Sequence, residues 1–252
     1  MTKKIIKKSI KNEKVIKKKI SINQNQKKIV KKDTHRKNIH NLLKKINSRT
    51  DSKRVIVVHG WSGDINKGWF PWLKKTLEKQ GFSVIMERMP DADQPKIDIW
   101  TEHLKNISGN IDEQTYFIGH SIGCQTIIRM LEKHQSEKVG GAVFLAGWFN
   151  LKEDTYKEDP KYEMKTRNIA APWINTRIDF TKVQSKFSPG TVTAIFSDDD
   201  PYVDLNNAEA FKQKLDARIL IENGKGHFSE EEVDSIPILV EEILRISKSL
   251  NK

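Results

Sequence analysis

An apolar run at 115–118 ends in Gly119-His120-Ser121-Ile122-Gly123, and a helical pattern begins directly after it. A Gly-x-Ser-x-Gly pentapeptide between a strand and a helix has few folded solutions. Its glycines permit a strained turn that lifts the serine hydroxyl out of a sheet edge. If the turn is real, the flanking chain should consist of further buried strands, each followed by a helix.

That pattern is present from Lys53 onward. The stretch "RVIVVHG" (54–60) is short, β-branched and closed by glycine, as buried strands are. Residues 69–81 read as a helix with Trp69, Leu73 and Leu77 on one face and Gly81 as its stop. A second strand covers 82–89, followed by the loop "PDADQP" and a helix from Ile97. The third strand runs to Ser121 with its helix over 122–135, and a fourth follows at 140–148. A fifth strand (191–200), a helix near 204–216 and a sixth strand (217–223) come next. The last helix carries Pro237 in its first turn and Leu239, Ile243 and Ile246 as a stripe. Strands alternating with helices imply right-handed crossovers and a mostly parallel sheet covered on both faces. The expectation is a three-layer α/β fold of about six strands over 53–252. In such sheets ligands bind beyond the carboxyl ends of the strands.

Residues 1–52 have a different texture. The first fifty hold 18 Lys and Arg against Glu13 and Asp33, a charge of +16 in a chain whose total is +12. The body therefore carries −4, and the basic pI belongs to the arm. Its apolar residues keep to no single helix face, and like charges at this density repel, so the arm is expected to be disordered in isolation. A short helix around 38–47 is the exception. Lys-rich segments attract phosphates without sequence readout, which suggests contact of residues 1–50 with nucleic acid or an anionic membrane. A codon bias toward A and T would produce the same Lys, Ile and Asn content with no partner at all. Cys124 is the single cysteine, so no intrachain disulfide can form. With no secretory apolar segment and no run long enough to span a bilayer, the cytoplasm is the expected compartment.

The residues just past the strands supply the chemistry. They are His59-Gly60-Trp61-Ser62-Gly63, then Ser121, then Trp148-Phe149, then Asp198-Asp199-Asp200, and finally Asn223-Gly224-Lys225-Gly226-His227. A serine, an acid and a histidine thus meet on one edge in that chain order, the arrangement of an activated nucleophile. Of seven histidines, His35 and His40 lie in the arm, and His103 and His134 fall on helices, where a solvated role suits them. His120 occupies a free position of the pentapeptide and should point away from Ser121. His59 shapes its own loop. His227 follows a glycine-bracketed loop and can reach Ser121 as general base and later acid. The acid is harder to choose, since Asp198, Asp199, Asp200 and Asp204 are all nearby and alternation cannot choose among the three consecutive residues. The aspartates have no His or Glu cluster of ligand spacing beside them, so neither a metal nor a cofactor is expected. Oxyanion donors are expected from the backbone amides of Ile122, after the nucleophile, and Trp61, after the first strand.

The segments "VVHGWSGDINKGWFPWLKKTLEKQGFSVIMERMPDADQP", "FIGHSIGC", "FSDDDPYV" and "GKGHF" together resemble the YdeN and retinoblastoma-binding-protein-nine group of small serine hydrolases. The resemblance runs from about Arg54 to the C-terminus. It implies an α/β-hydrolase fold without a large cap domain, and it singles out the aspartate directly before proline, Asp200, as partner of Ser121 and His227. The arm has no counterpart in that group, and 150–176 is longer than a minimal connection. Trp61 and Trp148 end strands and, with Phe149, could line an apolar acyl pocket, whereas Trp69 and Trp72 suit helix packing. Cys124 reads as a small buried hydrophobe.

Two functions follow. One is a serine hydrolase of a small ester, thioester or amide, carboxylesterase-like, working through an acyl-enzyme. The other is a hydrolase-fold binding module without catalysis, tethered by its arm to nucleic acid, a membrane or an acidic partner.

Overall fold

The computed structural model describes residues 53–135, 138–156, 163–229 and 233–249, all within one compact unit, Ser52–Lys252. The basic arm, its expected helix at 38–47, His35 and His40 lie outside the described residues.

Every expected strand forms, one to three residues shorter at its ends. They are β1 (Arg54–Val58), β2 (Ser83–Met86), β3 (Thr115–His120), β4 (Gly141–Leu145), β5 (Val192–Ser197) and β6 (Arg218–Glu222). The sheet order is β2-β1-β3-β4-β5-β6, and each neighbouring pair is parallel. β3, β4 and β5 are buried along their whole length, while the edge strands β2 and β6 are half-exposed. This is why the central runs are continuously apolar rather than alternating.

Among the described residues seven α-helices accompany the sheet: α1 (Trp69–Lys79), α2 (Ile97–Ser108), α3 (Ile122–Lys133), α4 (Glu163–Asn175), α5 (Phe180–Gln184), α6 (Asn206–Leu215) and α7 (Pro237–Ser249). The period-two alternation of the strands divides the core. Val55, Val57, Tyr116 and Ile118 face Trp69, Leu73 and Leu77 of α1 and Leu239, Ile243 and Ile246 of α7. Ile56, Val58, Phe117 and Phe144 face Trp100 and Leu104 of α2, Ile127 and Leu131 of α3, and Phe211 of α6. Each such aliphatic or aromatic side chain contributes about 1.5–3 kcal/mol by leaving water. No helix among the described residues is long and apolar enough to cross a membrane.

Helix α4 and the five-residue α5 lie in and just after the long connection flagged in the sequence. Helix α4 buries only Ala170 and Trp173 and contains Pro172, so its sequence shows no clear apolar stripe. Its lower end is held from α3 instead. Arg129 donates through Nη2 to the carbonyls of Trp173 and Thr176 at 2.7 and 2.9 Å, and Trp173 gives its indole N–H to the Pro95 carbonyl at 3.1 Å.

Chain order reverses between β1 and β3, so the crevice beyond their carboxyl ends is the expected ligand position. Two glycines make the turn there sterically feasible. A Cβ on Gly119 would come within 2.8 Å of the Cys124 backbone, and one on Gly123 within 2.4 Å of the Val58 carbonyl oxygen. The first turn of α3 is thereby seated directly on the end of β1. Gly123→Ala should cost about 3 kcal/mol of stability by overpacking against rigid backbone, measured by urea unfolding.

Candidate active site

Ser121 occupies the turn between β3 and α3 with φ 53° and ψ −123°, a conformation that L residues rarely adopt. Its amide donates to the Leu145 carbonyl at 2.9 Å, and its carbonyl accepts the Cys124 amide at 3.0 Å. Held in this way, Ser121 is 7% exposed and its Oγ lies 2.9 Å from His227 Nε2. His227 Nδ1 lies 2.8 Å from Asp200 Oδ2. Because a carboxylate oxygen only accepts, Nδ1 carries the proton, and Nε2 presents its lone pair to the serine.

The three consecutive aspartates divide into two jobs. Asp200 turns inward and is buried; its Oδ1 accepts the amides of Tyr202 and Val203 at 2.8 and 3.0 Å, which leaves Oδ2 for His227. Asp198 and Asp199 hold the loop that carries the histidine. Asp198 Oδ1 accepts the Gly224 amide at 2.9 Å, and Asp199 Oδ1 accepts the Gly226 amide at 2.8 Å and the Ser197 hydroxyl at 2.6 Å. The Ser197 hydroxyl in turn accepts the Lys225 amide at 2.9 Å. The hydrogen bonds from Ser197 and then Gly226 pull the Asp199 carboxyl below its ordinary pKa.

Two further side chains fix that loop, and periodicity gives no signal for either role. Trp69, counted from sequence as a packing residue, also donates its indole N–H to the Phe228 carbonyl at 2.9 Å. His120 donates through Nε2 to the His227 carbonyl at 2.8 Å. Its Nδ1 is buried without a partner. Burial, and then the neighbouring His227, push its pKa down to about 3, so the ring is neutral.

His59 likewise shapes its loop: Nε2 accepts the Met89 amide at 2.8 Å while Nδ1 meets the Gly60 carbonyl at 2.6 Å. This ties the first strand-end loop to the Met-Pro-Asp loop. A Cβ on Gly60 would stand 3.2 Å from Ser121 Cβ, so the backbone just before Trp61 passes directly over the serine. The Ile122 amide heads α3, where first-turn amides have no intrahelical acceptor. Trp61 is half-buried and gives its indole N–H to the Asp93 carbonyl at 3.1 Å. Trp148 is buried, with its indole N–H 3.3 Å from Ser121 Oγ. Phe149 stacks on Phe211 at 4.6 Å and meets Phe180 edge-on at 5.1 Å. Cys124 is fully buried, and burial raises its thiol pKa well above the ordinary value. His103 and His134, read from sequence as solvated, are half-buried.

A parallel doubly wound sheet with a serine on this turn, facing a histidine and a buried aspartate, defines an α/β hydrolase. Residues 55–238 match the family model described as Serine hydrolase, and the chain belongs to that family. It is 29% identical over 190 residues to YdeN of Bacillus subtilis (strain 168), covering 75% of this chain and 93% of the relative. It is 26% identical over 201 residues to the serine hydrolase RBBP9 of Rattus norvegicus, covering 79% and 95%. The crystal structure of the B. subtilis ydeN gene product superposes with a TM-score of 0.67 at 27% identity, over 77% of this chain and 98% of that one. At the level of fold alone, a carboxylesterase structure from Nitrososphaera gargenis matches with a TM-score of 0.58 at 15% identity, over 79% and 92%.

The neutral His120 gives a pH signature. Its folded-state pKa of about 3 lies below its unfolded value, so the unfolded chain binds the extra proton as pH falls through the region between them. Stability from this group is present above about pH 6.5 and is lost toward pH 3. Between pH 7 and 5 the wild type should lose about 2 kcal/mol more than His120→Gln, read from urea midpoints at each pH.

Proposed function

We propose that this chain is an acyl hydrolase that cleaves a small ester, thioester or amide through a Ser121–His227–Asp200 triad. The observation that carries the reading is the continuous relay from Ser121 Oγ to His227 Nε2 at 2.9 Å and from His227 Nδ1 to Asp200 Oδ2 at 2.8 Å. In it His227 removes the serine proton, Ser121 attacks the carbonyl carbon, and Asp200 holds the imidazole in the required tautomer. The amides of Trp61 and Ile122 receive the oxyanion. His227 then protonates the leaving group, and a water activated by the same imidazole releases the acyl chain. No cofactor enters this scheme.

Trp61, Trp148 and Phe149 give the acyl group apolar surroundings, which favours carboxylic esters over charged substrates. Residues 53–252 are the catalytic domain, and residues 1–50 of the arm serve as an electrostatic address for nucleic acid or an anionic membrane surface. The +16 charge of the first fifty residues supports that role and would also suit a non-catalytic tethered module. Cytoplasmic residence agrees with the single reduced cysteine.

Esters of graded acyl length separate these readings. Ser121→Ala should abolish turnover of every ester that the wild type cleaves, and Asp200→Asn should lower kcat on the order of 10⁴-fold. Asp198→Asn, which loosens only the loop, should cost less than about tenfold. Activity retained in Ser121→Ala, or equal losses at the two aspartates, would contradict the assignment.

A further inference from the structure

Trp148 stands just past the end of β4, and several contacts fix it there. Ala146 has φ 47°, a left-handed conformation costly for a residue with a Cβ. A Cβ on Gly147 would meet Phe211 Cζ at 2.6 Å and Cys124 Cβ and Sγ at 3.0 Å each, so only glycine fits. The Trp148 carbonyl accepts Gln125 Nε2 at 2.9 Å. Gln125 Oε1 is gripped in turn by Arg129 Nε and Nη2 at 3.1 and 3.0 Å. On the other side Asn207 Oδ1 accepts the Phe149 amide at 2.8 Å. Gln125, Arg129 and Asn207 are all buried.

Held this way, the indole N–H reaches Ser121 Oγ at 3.3 Å. The other bonded indoles differ: Trp61, Trp69, Trp100 and Trp173 give their N–H to main-chain carbonyls. A tryptophan needed only for packing is satisfied by any such carbonyl. Strained backbone beside a reacting group is where function is to be sought.

We infer that Trp148 is a hydrogen-bond donor to the nucleophile oxygen itself, distinct from the amides that serve the carbonyl oxygen; this rests on Ser121 being the nucleophile. In acylation the Oγ–H proton passes to His227 Nε2, and an Oγ lone pair forms the bond to the substrate carbonyl carbon. The carbonyl π pair moves onto its oxygen, then returns as the leaving group departs with the proton from His227. In deacylation water bonds to the acyl carbon and gives its proton to His227. The C–Oγ bond then breaks, and Oγ takes the proton back.

Oγ therefore carries excess negative charge at the start of one step and the end of the other, when its own proton sits on His227. A hydrogen bond to a charged oxygen is shorter and about twice as strong as one to a neutral oxygen. At 3.3 Å from the neutral hydroxyl, Trp148 gains little in the ground state and more in both transition states. The same bond occupies one Oγ lone pair and leaves the other for attack.

The test uses the full chain and a fluorophosphonate probe. Trp148→Phe keeps an apolar ring and removes the N–H, and should lower the second-order labelling rate about tenfold. An unchanged rate would overturn the inference. Independently of how that variant folds, the assigned Trp148 indole N–H of the wild type should shift in ¹H–¹⁵N spectra on Ser121→Ala and again on phosphonylation. A resonance indifferent to both would equally overturn it. Labelling that persists in Ser121→Ala would instead remove the nucleophile assignment beneath it, so the two failures are distinguishable.

Discussion

The packing of the first turn of α3 onto the ends of β1 and β3 is the constraint on which the site depends. With Gly119 against the Cys124 backbone and Gly123 against the Val58 carbonyl, the chain reverses with Ser121 at φ 53°. That strain is offset by the sheet: the Ser121 amide is taken by Leu145 of β4, and the helix buries Ile127, Ile128 and Leu131. A serine so placed has its hydroxyl projected past the sheet edge, where the loops after β1, β4, β5 and β6 converge. Stability and site geometry are thus set by the same few contacts.

The loop carrying His227 shows how the site is held without a rigid element of its own. Its amides are gripped by Asp198, Asp199 and Ser197 from the end of β5. Its carbonyls accept from His120 at residue 227 and from Trp69 at residue 228. Five side chains thus hold the loop that aims one imidazole, which in the proposed mechanism needs sub-ångström placement to shuttle a proton. The acid itself is left with one task because two backbone amides satisfy its other oxygen.

Much of this was legible in the sequence, because buried parallel strands are written as uninterrupted β-branched runs and their carboxyl ends follow by rule. Ser121 and His227 come from that reading directly. The choice of Asp200 does not, since three consecutive carboxylates differ only in which way the backbone turns; it came from family resemblance. The helix α4 escaped because it buries two residues and is anchored by Arg129 from another helix, a contact without periodicity. The roles of His120, Trp69 and Trp148 escaped for a related reason. Each is an apolar-compatible ring whose single N–H finds a partner distant in sequence, and local pattern carries no trace of that bond.

The central claim is that the strained turn makes one hydroxyl in this chain nucleophilic. Mass spectrometry of the protein treated with a fluorophosphonate tests it most directly. The account predicts one adduct per chain, fragmented to Ser121 rather than to Ser108 of the same tryptic peptide. An adduct on another residue, or an unmodified Ser121 in a folded protein, would contradict it.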